Sequence, residues 1–581
     1  MTPPERHHWP EGLSKAVHQT LKDRLPYKSQ SQHLEDLVDV LMEALGRGEL
    51  SVNFDSTPPH SHLKDAGWPN VHRQELMNSG WLEGDNSPMI LDGDQLSWRR
   101  WQMSMQTIIK SLLNREKTAH HVFESQANLS EIDASLNLNP EQKAAVYAIA
   151  QHQIILLSGG PGTGKTSTIL QMLRQAFLLN KELRIALAAP TGKAARRLQV
   201  SIHRGFESIE THQKQLIANV PCTTLHRLLQ AQRFGFSINN QKPLQLDLLV
   251  VDEMSMVDLN LMQALMNALP SRCQLILVGD PAQLPPVGSG AVWHRLQGKE
   301  IRKQFGNGAI ELKQSYRSKG ALARLTHSLR TKGLNTFWEN LEHLSSEEQK
   351  VIHHRCRIDS LPTVVIERVR SHLKELNQFS VQLSKNISSA DASETYKVGE
   401  NALEAIEHDA RKIMGRLDKL MVLCPRRRGR WSVDDVNHSV IGAELEAGIS
   451  NWPLGLPIMC GENEPELGVS NGDIGLIVGE GVSRRILFRI VTESGVLRSR
   501  LLHPARFRAL EPALAITIHK AQGSEADQVM VLWPKVPNQD AETIYPGSNE
   551  DYERRLLYTA ITRAKDQLDL ITPTEKEHPI E

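Results

Sequence analysis

The sequence predicts an α/β fold of more than one domain, with a small helical region ahead of it and a β-rich insertion within it. Three observations lead there. The chain has 581 residues, too many for a single hydrophobic core, so several domains are expected. From Leu138 onward, short apolar runs at 154–157, 185–188, 246–251 and 275–278 are each followed closely by Gly, Pro or Asp, with helical patterns between some of them. Runs that are apolar on both faces read as strands of a parallel sheet covered by helices on both sides. A second α/β block occupies 513–571.

The composition fits a globular protein. It is 40% hydrophobic and 23% charged, with 37 Gly and 29 Pro, which excludes a collagen, a coiled-coil rod or a largely disordered chain. Sixty-seven basic residues balance sixty-seven acidic ones. A strongly basic nucleic-acid coat is thereby excluded, while a local basic groove is not. The five cysteines, at 222, 273, 356, 424 and 460, form no CxxC pair. Neither a disulfide framework nor a Cys-rich zinc site is expected, and a reducing cytoplasm fits. The opening MTPPERHHWPEG has no apolar signal core, and no run approaches the ~20 residues needed to span a bilayer. A cytoplasmic chain with no membrane partner is expected.

Taken in order, residues 1–125 read as a helical domain for packing or docking. Leu34, Leu37, Val38, Leu41 and Leu45 recur at helical spacing, and Gly46 is the expected stop. A second helical pattern runs over 101–113, with short strands or loops between the two. The first α/β lobe covers 126–318. The second takes 319–440 and 511–581 and contains a charged insertion at 331–420. Helices are expected there at 364–376 and 402–417, separated by a Ser-rich loop at 386–394. A strand resumes at 420–423. Residues 441–510 form the insertion; its Gly-, Val-, Ile- and Arg-rich part, 468–510, reads as antiparallel β-structure.

The sharpest motif is Gly159-Gly160-Pro161-Gly162-Thr163-Gly164-Lys165-Thr166, with Ser167 next, placed between the strand QIILLS and a helix. Glycines let backbone N–H groups turn inward around phosphates. Lys165 brings a cation to the β/γ oxygens, and the Thr166 hydroxyl suits a Mg²⁺ position. Further on, the strand in LDLLVVDEMSMVD delivers Asp252 and Glu253. Asp252 can hold Mg²⁺ and Glu253 can polarise an attacking water. Binding alone has no use for the glutamate, so the two motifs point to nucleoside triphosphate hydrolysis.

Three further segments extend the site. Gln283 follows a strand in GDPAQLPPVGSGAV, where its amide can sense a γ-phosphate. Arg317 in ELKQSYRS and Arg563 in LLYTAITRAK are candidates to stabilise charge on a transferring phosphoryl group. The second α/β block has no P-loop of its own. Two lobes closing on one ATP would open and close with hydrolysis.

The ordered segments LNPEQKAAV, GGPGTGKTS, APTGKAARRL, TTLHRLL, VVDEMSMVD, GDPAQLPPVGSGAV, LKQSYRS, AITIHKAQGSEAD and LLYTAITRAK span 138–565. As a set they closely resemble a superfamily 1 DNA helicase, and within that superfamily the RecD family. The resemblance implies two RecA-like P-loop NTPase lobes, an SH3-like β insertion in the second, and 5′→3′ translocation on DNA. It implies that Gln142 reads adenine, that Lys165, Thr166, Asp252 and Glu253 serve phosphate, Mg²⁺ and water, and that Gln283, Arg317 and Arg563 meet the γ-phosphate. Thr191, Thr224, His226, Thr517 and His519 would lie on the single-stranded DNA path, and Gln522, Gly523 and Glu525 would link that path to nucleotide. The family acts with RecB and RecC in a heterotrimer on double-stranded DNA ends, with the nuclease in another subunit.

Charge gives a weaker indication of DNA. Lys193, Arg196, Arg197 and the cluster Arg426, Arg427, Arg428 and Arg430 can follow a phosphate backbone, with Trp431 as a stacking face. A solvated charged face is the alternative reading of those residues. Three alternative functions stand beside the complex-bound helicase: a stand-alone helicase of the same family, a slow ATP- and DNA-binding regulatory subunit, and an RNA helicase.

Overall fold

The computed structural model describes residues 12–25, 31–54, 60–118, 138–208, 211–316, 320–344, 350–391, 400–491, 497–535 and 550–574. These divide into two units, one drawn from 1–190 and 208–314, the other from 191–207 and from 315 onward.

The first unit begins with the helical region. Helices Leu13–Arg24, Gln32–Gly46, Asn70–Asn78 and Arg99–Lys117 accompany an antiparallel sheet of β1 (Ser51–Asn53), β2 (Met89–Asp92) and β3 (Gln95–Trp98), in the order β1-β3-β2. Ser31 starts the second helix by accepting the N–H of His33. The expected stripe from Leu34 to Leu45 is buried in one cluster with Phe54, Trp81 and Trp98. One detail differs from expectation. Gly46 is the last helical residue, and the left-handed turn that redirects the chain is at Gly48, φ +81°.

A parallel sheet follows, made of β4 (Ile154–Gly159), β5 (Ile185–Ala189), β6 (Cys222–Thr224), β9 (Leu248–Val251), β10 (Gln274–Gly279) and β11 (Ala309–Leu312). Its order is β11-β4-β10-β9-β5-β6. Between β6 and β9 lies a short hairpin, β7 (Ala231–Gln232) and β8 (Gly235–Phe236). Every residue of β4, β5, β9 and β10 is buried, which is why those segments read as unbroken apolar runs. Gly279 ends β10 without a side chain because a Cβ there would stand 2.9 Å from the indole of buried Trp293.

Among its described residues the second unit holds ten strands: β12 (Val351–Cys356), β13 (Leu420–Cys424), β14 (Pro457–Cys460), β15 (Ile474–Val478), β16 (Arg485–Val491), β17 (Leu497–Leu502), β18 (Leu510–Pro512), β19 (Ile516–Thr517), β20 (Ala526–Leu532) and β21 (Ala564–Pro573). A parallel sheet runs β12-β21-β20-β13-β19, and an antiparallel one runs β17-β16-β15-β14-β18. The antiparallel sheet is the β-structure expected between 468 and 510, and it also takes in β14 ahead of those bounds and, in β18, runs past them to Pro512.

Two features of the 331–420 stretch depart from expectation. Residues 351–356, VIHHRC, form an edge strand rather than part of a run of charged helices; His353 Nε2 and Thr572 Oγ1 on the neighbouring β21 are 2.8 Å apart. The helix Thr363–Asp391 continues through 386–391, where the serines suggested a loop. It pairs with Glu400–Leu417, and Leu376, Leu383, Ile413 and Met414 share a core with Leu476, Val478 and Leu487 of the antiparallel sheet. Arg489 donates to both Asp418 oxygens at 2.5 and 2.6 Å. The charged insertion is therefore a support on which the antiparallel sheet is seated. No described helix is long and apolar enough to cross a membrane.

Candidate active site

The chemistry-bearing residues of the first unit follow the carboxyl ends of its parallel strands, the edge where open α/β sheets place ligands. β4 leads into the loop 159–164 and then the helix Lys165–Leu179. Gly162 and Gly164 have φ of +72° and +84°, and a Cβ on Gly159 would stand 2.6 Å from Thr163 Oγ1. Glycine is required at these positions by the turn itself. The Lys165 ammonium donates to the carbonyls of Gly159 at 2.8 Å and Gly160 at 3.0 Å, folding across the loop that phosphates would fill. Thr166 opens the helix half-exposed, and Ser167 beside it is exposed. A glycine cradle, one ammonium and a hydroxyl at a helix N-terminus fit a nucleoside triphosphate with its metal ion.

Gln142 sits at the start of the helix Pro140–Gln151, in a reciprocal cap. Its N–H donates to Asn139 Oδ1 at 2.8 Å, and its Oε1 accepts the Asn139 N–H at 3.1 Å. Its Nε2 lies 2.7 Å from where a Gly164 Cβ would be, so the residue assigned to adenine packs against the phosphate loop.

Asp252 and Glu253 follow β9 directly. The Glu253 N–H donates to Asp252 Oδ1 at 2.8 Å. Glu253 holds φ +53°, a left-handed conformation costing a non-glycine residue about 1–3 kcal/mol, and such outliers gather at functional sites. Gln283 follows β10 and is buried, with Nε2 3.5 Å from Asp280 Oδ2 and its carbonyl 3.3 Å from His294 Nε2.

In the second unit, Arg563 is only 2% exposed. Its guanidinium donates to the carbonyls of Thr559 and Ser524 at 3.0 and 3.3 Å and to Thr562 Oγ1 at 3.2 Å. It thereby ties the helix Glu550–Ile561 to the segment carrying Gln522, Gly523 and Glu525. Arg317 lies outside the described residues.

Three residues assigned to DNA have a local structural task. Thr191 and Thr224 are helix N-caps, accepting the N–H of Ala194 and of Arg227, each at 3.2 Å. Thr517 Oγ1 accepts from Lys520 N–H at 3.4 Å. His226 is exposed, 6.1 Å from the Phe236 ring. His519 is half-buried, with Nε2 3.0 Å from the Tyr552 hydroxyl. Tyr552 is a contact that sequence reasoning missed, since nothing local marks a partner 33 residues away.

The basic residues need correction. Arg196 is paired with Asp473 and Arg197 with Glu525, and neither presents the free guanidinium expected of a phosphate groove. Lys193 is half-buried, and its ammonium is pulled down to about 8, chiefly by loss of solvation. Arg427, Arg428 and Arg430 lie near Glu511, Asp434 and Asp359, at 3.2, 3.9 and 3.6 Å. Trp431 is fully buried, and its Nε1 donates to Ser360 O at 2.9 Å. It is a core residue and offers no stacking face. The loop 470–473, unmarked in the sequence, meets both predicted DNA segments: Asn471 accepts from Lys520 Nζ at 2.8 Å, and Ser470 stands where a Gly192 side chain would be.

Comparison with known proteins adds relatedness to this geometry. An AAA domain family matches residues 142–289, and a UvrD-like helicase C-terminal domain family matches 512–571. The chain is 30% identical over 556 residues to the RecBCD enzyme subunit RecD of Mycolicibacterium smegmatis, covering 93% of this chain and 89% of that one. It is 28% identical to the ATP-dependent RecD2 DNA helicase of Deinococcus radiodurans over 75% of its own length and 49% of the relative's. Among solved structures it resembles a Bacteroides Pif1 bound to single-stranded DNA, with a TM-score of 0.38, 18% identity, and coverage of 75% and 92%.

Proposed function

The chain belongs to the RecD family, and from that premise we propose that it is the ATP-dependent DNA helicase subunit of a RecBCD (exodeoxyribonuclease V) complex, moving 5′→3′ on single-stranded DNA at double-stranded ends with RecB and RecC as partners. The observation that carries this reading is the juxtaposition of the 159–166 loop with Asp252 and Glu253 at one edge of a parallel sheet, in a chain related to a RecD subunit over most of its length.

Each residue has a task that its chemistry allows. Backbone N–H groups of 160–166 bind phosphate, and Lys165 leaves the Gly159 and Gly160 carbonyls to meet the β/γ oxygens. Thr166 and Asp252 would hold Mg²⁺, which when bound neutralises charge on phosphate oxygens. Glu253 orients the attacking water and accepts its proton. Gln283 senses the γ-phosphate, and Arg317 and Arg563 supply positive charge to it. Gln142 reads adenine from its cap at the phosphate loop.

Thr191, Thr224, His226, Thr517 and His519 are assigned to the DNA path, with Gln522, Gly523 and Glu525 relaying between that path and nucleotide. The antiparallel sheet of 457–512 takes the part of the SH3-like insertion. The working chain is cytoplasmic.

A Glu253→Gln chain tests the hydrolytic reading. It should bind ATP as the parent does and lose DNA-stimulated hydrolysis by about a hundredfold or more. Undiminished hydrolysis would exclude Glu253 as the base.

A further inference from the structure

We propose that the turn at residues 48–50, which ends the second N-terminal helix, is a positioning element for Gln283, so that the helical N-terminal region sets turnover at the nucleotide site without touching nucleotide. The inference rests on the reading of Gln283 as the γ-phosphate sensor.

The contact is backbone against backbone. The Gly290 N–H donates to the Gly48 carbonyl at 3.2 Å. A Cβ on Gly48 would stand 2.7 Å from the Pro286 carbonyl and 3.5 Å from Pro285 Cβ, and its φ of +81° already favours glycine. Leu50 packs against the core of the N-terminal region and the core of the parallel sheet alike. Its Cδ2 is 3.4 Å from the Cβ position of Gly290.

The opposite side of the 285–290 segment is equally constrained. Leu259 N–H donates to Ser289 O at 3.2 Å, and a Cβ on Gly288 would collide with Asp258, the cap of the helix Leu259–Ala268. The segment is therefore clamped between the 48–50 turn and that helix. Gln283 lies two residues ahead of it, joined through fully buried Leu284 and two prolines whose φ is fixed. A shift at 286–290 has little slack to absorb it before Gln283.

The test is a double-mutant cycle on the full-length chain, measuring kcat and the KM for ATP of DNA-stimulated hydrolysis together with the melting temperature. Gln283→Ala, Gly48→Ala and their double form the cycle, and Leu50→Ala with its own double repeats it without backbone strain. Gly48→Ala and Leu50→Ala are each expected to lower kcat about fivefold with KM within about twofold of the parent, and to add nothing to Gln283→Ala. Losses that multiply in the doubles, or single variants with the parent's kcat, would overturn the proposal while leaving the site intact. An unchanged kcat in Gln283→Ala itself would instead remove the sensor assignment, and the proposal with it.

Discussion

Lys165 and Trp431 show how unevenly single residues can be read from sequence. Lys165 stands in a motif whose spacing is local, so its place at a phosphate loop followed from nine consecutive residues. Replacing it by glutamine should abolish DNA-stimulated ATP hydrolysis, a fall of about a hundredfold or more, with an unchanged circular dichroism spectrum. Trp431 ends an arginine cluster and read as a stacking face, yet it is fully buried and bonded to Ser360, a residue 71 positions away. Trp431→Ala should cost about 3–5 kcal/mol of stability in denaturant titration, whereas loss of DNA affinity with stability intact would return it to the surface. The partners of Arg196 and Arg197 lie 277 and 328 positions along the chain, beyond the reach of any local pattern. Lys193 adds a pH dependence. Its ammonium is held near 8 in the fold against an ordinary 10.5. Between those values the unfolded chain binds the extra proton, so stability should rise with pH across that window. Lys193→Met should flatten that rise in pH-dependent melting.

Elements were legible where burial is two-sided. β4, β5, β9 and β10 are buried at every residue, and their apolar runs stood out. β12 did not, because an edge strand carrying VIHHRC has a single neighbour and keeps polar side chains. The helix Thr363–Asp391 outran its expected end because serines only weakly disfavour a helix, and pairing with Glu400–Leu417 overrides that preference. The helix Gln32–Gly46 ends at Gly46, and the left-handed turn comes two residues later at Gly48, where the 285–290 backbone packs close. The support role of the helical insertion can be tested at Asp418. Removing its carboxylate leaves Arg489 without its two-fold partner; since both side chains are about a third exposed, Asp418→Ala should cost only about 1–2 kcal/mol. An unchanged unfolding midpoint would contradict that role.

At the scale of the whole molecule, the chain covers 89% of the length of a RecD subunit. A working subunit of this kind should co-purify from its native cell with two larger chains, RecB and RecC, whereas a fully active monomer would favour the stand-alone form. Stimulation of ATP hydrolysis by single-stranded DNA and not by RNA should separate a DNA motor from an RNA one. The central claim is directed travel along one strand driven by ATP, and strand displacement tests it most directly. Duplexes bearing a 5′ or a 3′ single-stranded overhang are offered to the full-length chain with ATP and Mg²⁺. Unwinding of the 5′-tailed duplex, lost in Lys165→Gln, is the expected result; unwinding that prefers the 3′ tail, or that survives in Lys165→Gln, would contradict it.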